Sequence, residues 1–361
     1  MYKPICLALL GLGSIMAASA QTEVAPYTPG VTPNGITYFL PRTGFHLTIT
    51  ARRTSYQPGE YAAYAERYLR QKGVVQKTYD EWELTGLTIT DYGEADPSKA
   101  YTIALNPKSA APLVSLAPDG RLLAVNTDQA PAIATLSTPS VTPEPVKQVR
   151  GADYKTEEIL SAGSKAKMAE LTAAEIYDIR ENRSLLTKGQ ADFMPKDGEQ
   201  LRLMLAQLDE QEAGLLQLFR GTTTSETHVF TIDYVPQGDV DRYVLFRFSK
   251  HLGLVDRDDV AGVPYYISVA DLHALPAEQP APSAKPGKAA KEVKDLRYIV
   301  PGKAKVTISR DDATLYTGTF VMGQYGRIEH LGGDLFNKKY TTRVWLSPEN
   351  GGVTKIEADH P

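Results

Sequence analysis

"TYFLPRTGFHLTIT", residues 37–50, decides the fold class. Phe45, Leu47 and Ile49 alternate with His46, Thr48 and Thr50. A period of two marks a strand with one buried and one wetted face. Proline cannot donate to a ladder, so Pro41 reads as punctuation that ends one strand before the next begins. The same order returns as "RYIVPGKAKVTIS" at 297–309 and, more loosely, as "DYVPQGDVDRYVLF" at 233–246. The shared order is ordinary β punctuation, and duplication of a β unit is the alternative.

Outward from this stretch, "EWELTGLTIT" (81–90) alternates but slips phase at Gly86, which predicts a bulge there. "APDGRLLAVN" (117–126) predicts a hairpin turning at Pro118-Asp119-Gly120. Between these strands, "PGEYAAYAERYLRQKG" (58–73) reads as a helix opened by Pro58-Gly59 and closed by Gly73. Its Tyr61, Tyr64 and Tyr68 fall on one face with Ala65 and Leu69, while Glu60, Arg67, Arg70 and Lys72 take the other. Small and aliphatic neighbours favour packing of the rings against a sheet, and a sugar-stacking platform is the alternative.

Residues 129–150 are rich in proline and threonine without period and read as a linker. The period then becomes helical. "KMAELTAAEIYDIRENRSLL" and "DGEQLRLMLAQLDEQEAGLLQLF" each gather apolar residues on one face, and the breaker-rich "TKGQADFMPKDG" joins them. An antiparallel helical hairpin follows. After Gly221 the chain returns to short alternating strands, "HVFTIDYVP", "DRYVLFRFSK", "VPYYISV", "RYIVPGKAKVTI", "TLYTGTFVM", "YTTRVWLSP" and "GGVTKIEA". They predict a sandwich rather than a parallel sheet. The expected protein is α+β: a β-rich part with one helix at 21–128, the linker at 129–150, the helical hairpin at 151–221, and an antiparallel sandwich at 222–361 with a loose insert at about 276–294.

The first twenty residues read as a cleavable export signal: Lys3, the short apolar run "ICLALLGLGSIMA", and Ala18-Ser19-Ala20 before Gln21. The lone cysteine, Cys6, precedes the apolar run, whereas a lipid-bearing cysteine would follow it. The expected mature chain is a cysteine-free, unlipidated protein of the periplasm or outer membrane, with no later transmembrane segment. At 42% apolar and 23% charged the composition is that of a folded globular chain. A formal charge of −4 gives nucleic acid no foothold.

Candidate chemistry is sparse. The six histidines (46, 228, 251, 273, 330 and 360) form no metal-binding spacing, and His228 shares a face with Phe230 and Ile232 as a core histidine would. Asp256, Asp258 and Asp259 in "VDRDDVAG" lack the glycine and closing glutamate of a calcium loop and read as an acidic loop. Ser164-Lys165-Ala166-Lys167 matches S-x-x-K, but its companion motifs are missing, so Ser164 reads as a helix cap. Asn182-Arg183-Ser184 is a formal glycosylation sequon inside a predicted helix. Two carboxylate pairs, Glu226 with Asp233 and Glu329 with Asp334, would suit a glycosidase if they faced each other. No catalytic, cofactor-binding or metal-binding residue is assigned.

The chain resembles an uncharacterised family of exported Bacteroidota proteins known as a domain of unknown function. The likeness rests on "TYFLPRTGFHLTIT", "QPGEYAAYAERYL", "IYDIRENRSLLTKGQADFMPKDGEQLRLMLAQLDEQEAGLLQLFRG", "GKAKVTI" and "GQYGRIEHL". It implies an envelope location in a Gram-negative cell and carries no activity or site residue with it. The leading expectation is a non-enzymatic envelope scaffold or partner-binding module, whose partner is another envelope protein. A glycan- or peptide-binding module using tyrosines or Trp345 is the alternative, and a carboxylate-dependent hydrolase the second.

Overall fold

The computed structural model describes residues 24–30, 35–104, 113–136, 150–275, 295–331 and 341–359. Residues 1–20, where an export signal is expected, the insert expected at 276–294, most of the expected linker, Asp334 and His360 lie outside them. Among the described residues, thirteen strands and four α-helices are arranged around three apolar clusters. In chain order come β1 (Val24–Pro26), β2 (Gly35–Gln57), α1 (Ala65–Leu69), β3 (Tyr79–Ala104), β4 (Val114–Leu116) and β5 (Leu122–Val125). Then follow α2 (Glu157–Ser161), α3 (Lys165–Lys188), α4 (Gly198–Arg220), β6 (Thr222–Tyr234), β7 (Val240–Ser249), β8 (Gly253–Val255) and β9 (Val263–Asp271). Last are β10 (Leu296–Arg310), β11 (Ala313–Leu331), β12 (Thr341–Leu346) and β13 (Val353–Asp359).

The protein is mostly β, in an α+β arrangement of antiparallel sheets, as the alternation predicts. The first sheet runs β1-β3-β2-β6, the second β11-β10-β9-β7-β8, and the third β13-β12-β5-β4. The first and third sheets each take strands from both sides of the helical hairpin. One layer of the sandwich is therefore β2, β3 and β6, closing on β7, β9, β10 and β11 over Phe45, Leu47, Ile49, Phe246, Ile267 and Val306. The third sheet closes a second core, with Tyr38, Leu40, Ile103, Leu122, Ile299 and Val344.

Two long ladders, β2–β3 and β10–β11, run through both cores, and they are interrupted in the same way. Leu40, just before Pro41, lies opposite Asp96–Lys99, one residue against four. Pro301 lies opposite Gly323–Gly326, again one against four. The prolines do not end their strands, contrary to the expectation. Each sits at a bulge that absorbs the missing donor and bends the ladder from one core into the other. The sequence echo thus has a structural counterpart. The bulge expected at Gly86 is also present, with Thr50 paired to Gly86 and Ala51 to Leu84. The Pro118-Asp119-Gly120 turn joins β4 to β5.

Where the two bent ladders cross, one buried threonine ties them together. Thr43 Oγ1 donates to Glu349 O (3.0 Å) and accepts from Gly323 N (3.1 Å). The Gln324 amide brackets the Thr43 backbone, accepting from its N–H at 2.9 Å and donating to its carbonyl at 2.8 Å. Thr43→Val keeps the volume but strips a donor and an acceptor from buried backbone. It is expected to lower stability by about 1–3 kcal/mol, while Thr43→Ser stays within about 1 kcal/mol of wild type; urea denaturation of both variants checks this.

The tyrosine segment is shorter than a helix over 58–73. It is a 3-10 turn at Ala62–Tyr64 followed by α1. Arg70 takes a left-handed conformation at φ 58° and stops the helix before Gly73.

Candidate functional site

The most prominent feature beyond the sheets is the helical hairpin, which is antiparallel as its periodicity predicts. Its base is anchored. Phe219 and Leu215 of α4 are buried against Tyr61, Ala65 and Leu69 and against Ala169, Ala173 and Ile176 of α3. The Tyr61 and Phe219 rings meet at 5.5 Å. Tyr61 N–H donates to Leu218 O at 2.6 Å, capping the end of α4. Gly59 is required at this joint, because a Cβ there would stand 2.4 Å from Leu218 O. Lys155 pairs with Glu60 at 2.6 Å and lies over the Tyr61 ring. Burial opposes its charge, but Glu60 and Tyr61 hold the Lys155 ammonium above its ordinary pKa.

Above the base lies a charged neck. The Glu212 carboxylate, 8% exposed, takes Arg180 Nε at 2.6 Å and Arg183 Nη2 at 2.8 Å, and Arg183 also pairs with Asp209. Glu212 is the most N-terminal buried residue of α4. The fourteen residues before it rise about 21 Å at 1.5 Å each, so the hairpin projects well clear of its base. A cavity of about 480 Å³ opens at the tip between Leu185, Leu186, Phe193, Met204 and Leu208. Phe193 is 75% exposed, and Met194, Leu203 and Met204 are exposed beside it. Clustered large apolar groups in water mark an interaction surface.

A second concavity lies at the mouth of the sandwich. Its floor is Leu245 and Phe246; one lip is Ile232 of β6 and the other runs from Leu254 to Asp259. It holds about 460 Å³, and an adjoining hollow of the same size extends it past Asp233, Tyr234, Tyr243 and Asp258. The Tyr234 and Tyr243 rings stack on each other at 5.1 Å, and Arg257 lies over Tyr243 and bonds its hydroxyl. Burial first, and Tyr243 second, push the Tyr234 phenol up.

A family model described as a domain of unknown function, DUF4831, matches residues 34–354, nearly the whole chain. The chain belongs to the DUF4831 family. The DUF4831 match opens one residue before β2 and closes inside β13, so it takes in the hairpin and both concavities. No curated protein and no solved structure matches the chain.

Within the DUF4831 fold, the residues singled out by sequence fall as follows. The tyrosine stripe is structural, but it packs on helices α3 and α4 and not on a sheet as expected: Tyr61 is fully buried, and Tyr64 and Tyr68 pack half-buried on the same cluster. Ser164 caps α3 by accepting from Lys167 N, and Lys167 Nζ pairs with Glu170. Arg183 of the sequon is committed to the neck. Glu226 and Asp233 cannot cooperate. They are seven residues apart on an unbroken ladder with β2, which puts their side chains on opposite faces of the sheet, about 23 Å apart along the strand. Glu329 accepts from Arg327 Nε at 2.6 Å, and its partner Asp334 is outside the described residues. Among the described residues no group of three or more His, Cys, Asp or Glu could hold a metal ion. No helix among them is long and apolar enough to cross a membrane.

His228 is less enclosed than a core residue. Its ring lies 4.8 Å from Trp82 and its Nε2 is 3.6 Å from Glu226 at the sheet rim. The Trp345 indole donates to Gln129 O at 2.7 Å and one ring face is covered by Lys355. Sequence reasoning missed a hydrogen-bond contact on the outer sheet face, between His46 Nδ1 and Asp233 Oδ1 at 2.6 Å. The Tyr92 phenol nearby is pushed up by burial and then by Asp233. No spacing could reveal a contact between strands 187 residues apart.

Proposed function

We propose that this protein is a non-enzymatic, exported envelope protein that docks another envelope protein through the tip of its helical hairpin. One observation carries the reading: a rigidly anchored hairpin holds an exposed apolar groove, with Phe193 75% exposed, away from the body of the protein. A projecting hairpin held in place at its base loses little conformational freedom on docking, which favours recognition. The neck carboxylate is saturated by arginines and the candidate acids of β6 face apart, so these groups serve structure. Export rests on the leader pattern at residues 1–20.

A photoreactive amino acid at position 193, expressed in the source cells, tests this. The expected result is one discrete crosslinked adduct, lost when Met204 or Leu208 is changed to glutamate, on a mature chain whose N-terminal sequencing starts at Gln21. Recovery of the protein alone and uncrosslinked from the periplasm would overturn the docking reading.

A further inference from the structure

We infer that the mouth of the sandwich is a second docking site, and that its occupant is an extended, basic segment of a partner protein that adds as a strand beside β6. The inference is independent of the hairpin tip and stands or falls without it.

Three observations meet here. First, β6 ends its sheet, pairing only with β2 among the described strands. Among the described residues, the other edge of its backbone pairs with no strand, leaving its N–H and C=O groups open. Natural edges are blunted by proline, lysine or bulges. β6 reads "TTTSETHVFTIDY", with neither proline nor lysine, and its thirteen-residue ladder with β2 has no register break. Of the two end strands of the facing sheet, β11 is broken by its four-residue bulge and β8 is only three residues long.

Second, the free edge borders a hollow with an apolar floor and a charged far lip. A strand laid beside β6 would turn every second side chain inward, to the side of Ile232 and Tyr234. There it meets Leu245, Phe246, Leu254 and Val255. Val260, on the loop that continues this lip, is 87% exposed. Main-chain bonding at an edge with pockets for alternate side chains is the usual anatomy of strand addition.

Third, the far lip is acidic. Asp256, Asp258 and Asp259 stand there against two cations: Arg257, which lies over Tyr243 and reaches Asp258 at 3.7 Å, and Arg247, whose guanidinium is spent on the loop carbonyls of Arg257 and Gly262. A lysine or arginine two residues from an inward apolar side chain would point the same way and reach this lip. The chemistry thus selects a segment alternating apolar and basic residues at inward positions. A sugar platform of two rings side by side is disfavoured, because Tyr234 and Tyr243 stack on each other and Arg257 lies over Tyr243. A second copy of this chain would bring two acidic lips to one joint.

The probe is a fluorescein-labelled peptide, Thr-Val-Thr-Lys-Thr-Val-Thr-Lys, titrated against the full chain by anisotropy. Expected are saturable binding, amide-exchange protection across residues 222–234, and affinity that falls with salt. Neutralising the lip (D256N/D258N/D259N) is expected to weaken binding about tenfold or more, and so is Ile232→Arg; the surface triple variant keeps the test valid if the buried change fails to fold. A peptide with glutamate for lysine, and one with proline at its centre, are expected not to bind. The inference is overturned if the lysine peptide does not bind, if the triple variant binds it equally, or if sedimentation shows β6 occupied by a second copy.

Discussion

Phe219→Ala is expected to lower the unfolding free energy by about 3–5 kcal/mol, the range for emptying a fully buried aromatic site. Phe219 is 0% exposed at the centre of the cluster that anchors the hairpin. The void would open against Tyr61, whose position is held by its bond to Leu218 O, so the surroundings have little freedom to collapse. Amide exchange should accelerate first in α3 and α4 and only later in the cores around Phe45 and Tyr38. Phe193→Ala is the internal control. That ring is in water, so its loss should leave stability within about 0.5 kcal/mol. If both variants are equally destabilised, the division of the hairpin into a structural base and a recognition tip is wrong. Calorimetry of the two proteins decides it.

Glu212→Ala should have the next largest effect, about 2–3 kcal/mol. A fully buried pair broken on one side loses about 3–5 kcal/mol, but Arg180 and Arg183 are each about a third exposed and keep some water. The loss arises from two guanidinium groups held by the fold at 2.6 and 2.8 Å from a carboxylate that is no longer there. Glu212→Gln keeps the shape and one acceptor and should lose less. In a double-mutant cycle with Arg180→Ala, a coupling near zero would show that the neck is incidental. A coupling of about 1 kcal/mol or more is expected.

The two hairpin phenylalanines show how far sequence could go. Both sit beside helix-breaking residues, Phe193 in "ADFMP" and Phe219 in "LQLFRG". Periodicity places Phe219 on the apolar face of α4 and says nothing of Phe193, which lies in the joint. Likewise Pro41 was legible as an interruption, but not as a bend inside a longer strand. Ending or bending depends on whether the opposite strand supplies four residues to bridge the gap, and those lie at 96–99. The acidic loop at 256–259 was legible as solvated carboxylates. That it forms the lip of a hollow beside β6 was not, because Ile232 reaches it only through sheet stacking.

What the sequence determined by itself is everything set by neighbours along the chain. The strands and their buried faces follow from period two, the helical hairpin from period 3.6, and the cap at Ser164 and the bulge at Gly86 from local bonding and a slip of phase. Which strand lies beside which was decided only in three dimensions. Alternation specifies that a strand has an apolar face but not which face will cover it, since any complementary layer removes the same surface from water. The pairing of β2 with β6, of β5 with β12, and the unpaired edge left on β6 are choices of the whole packing, made where the bent ladders cross at Thr43.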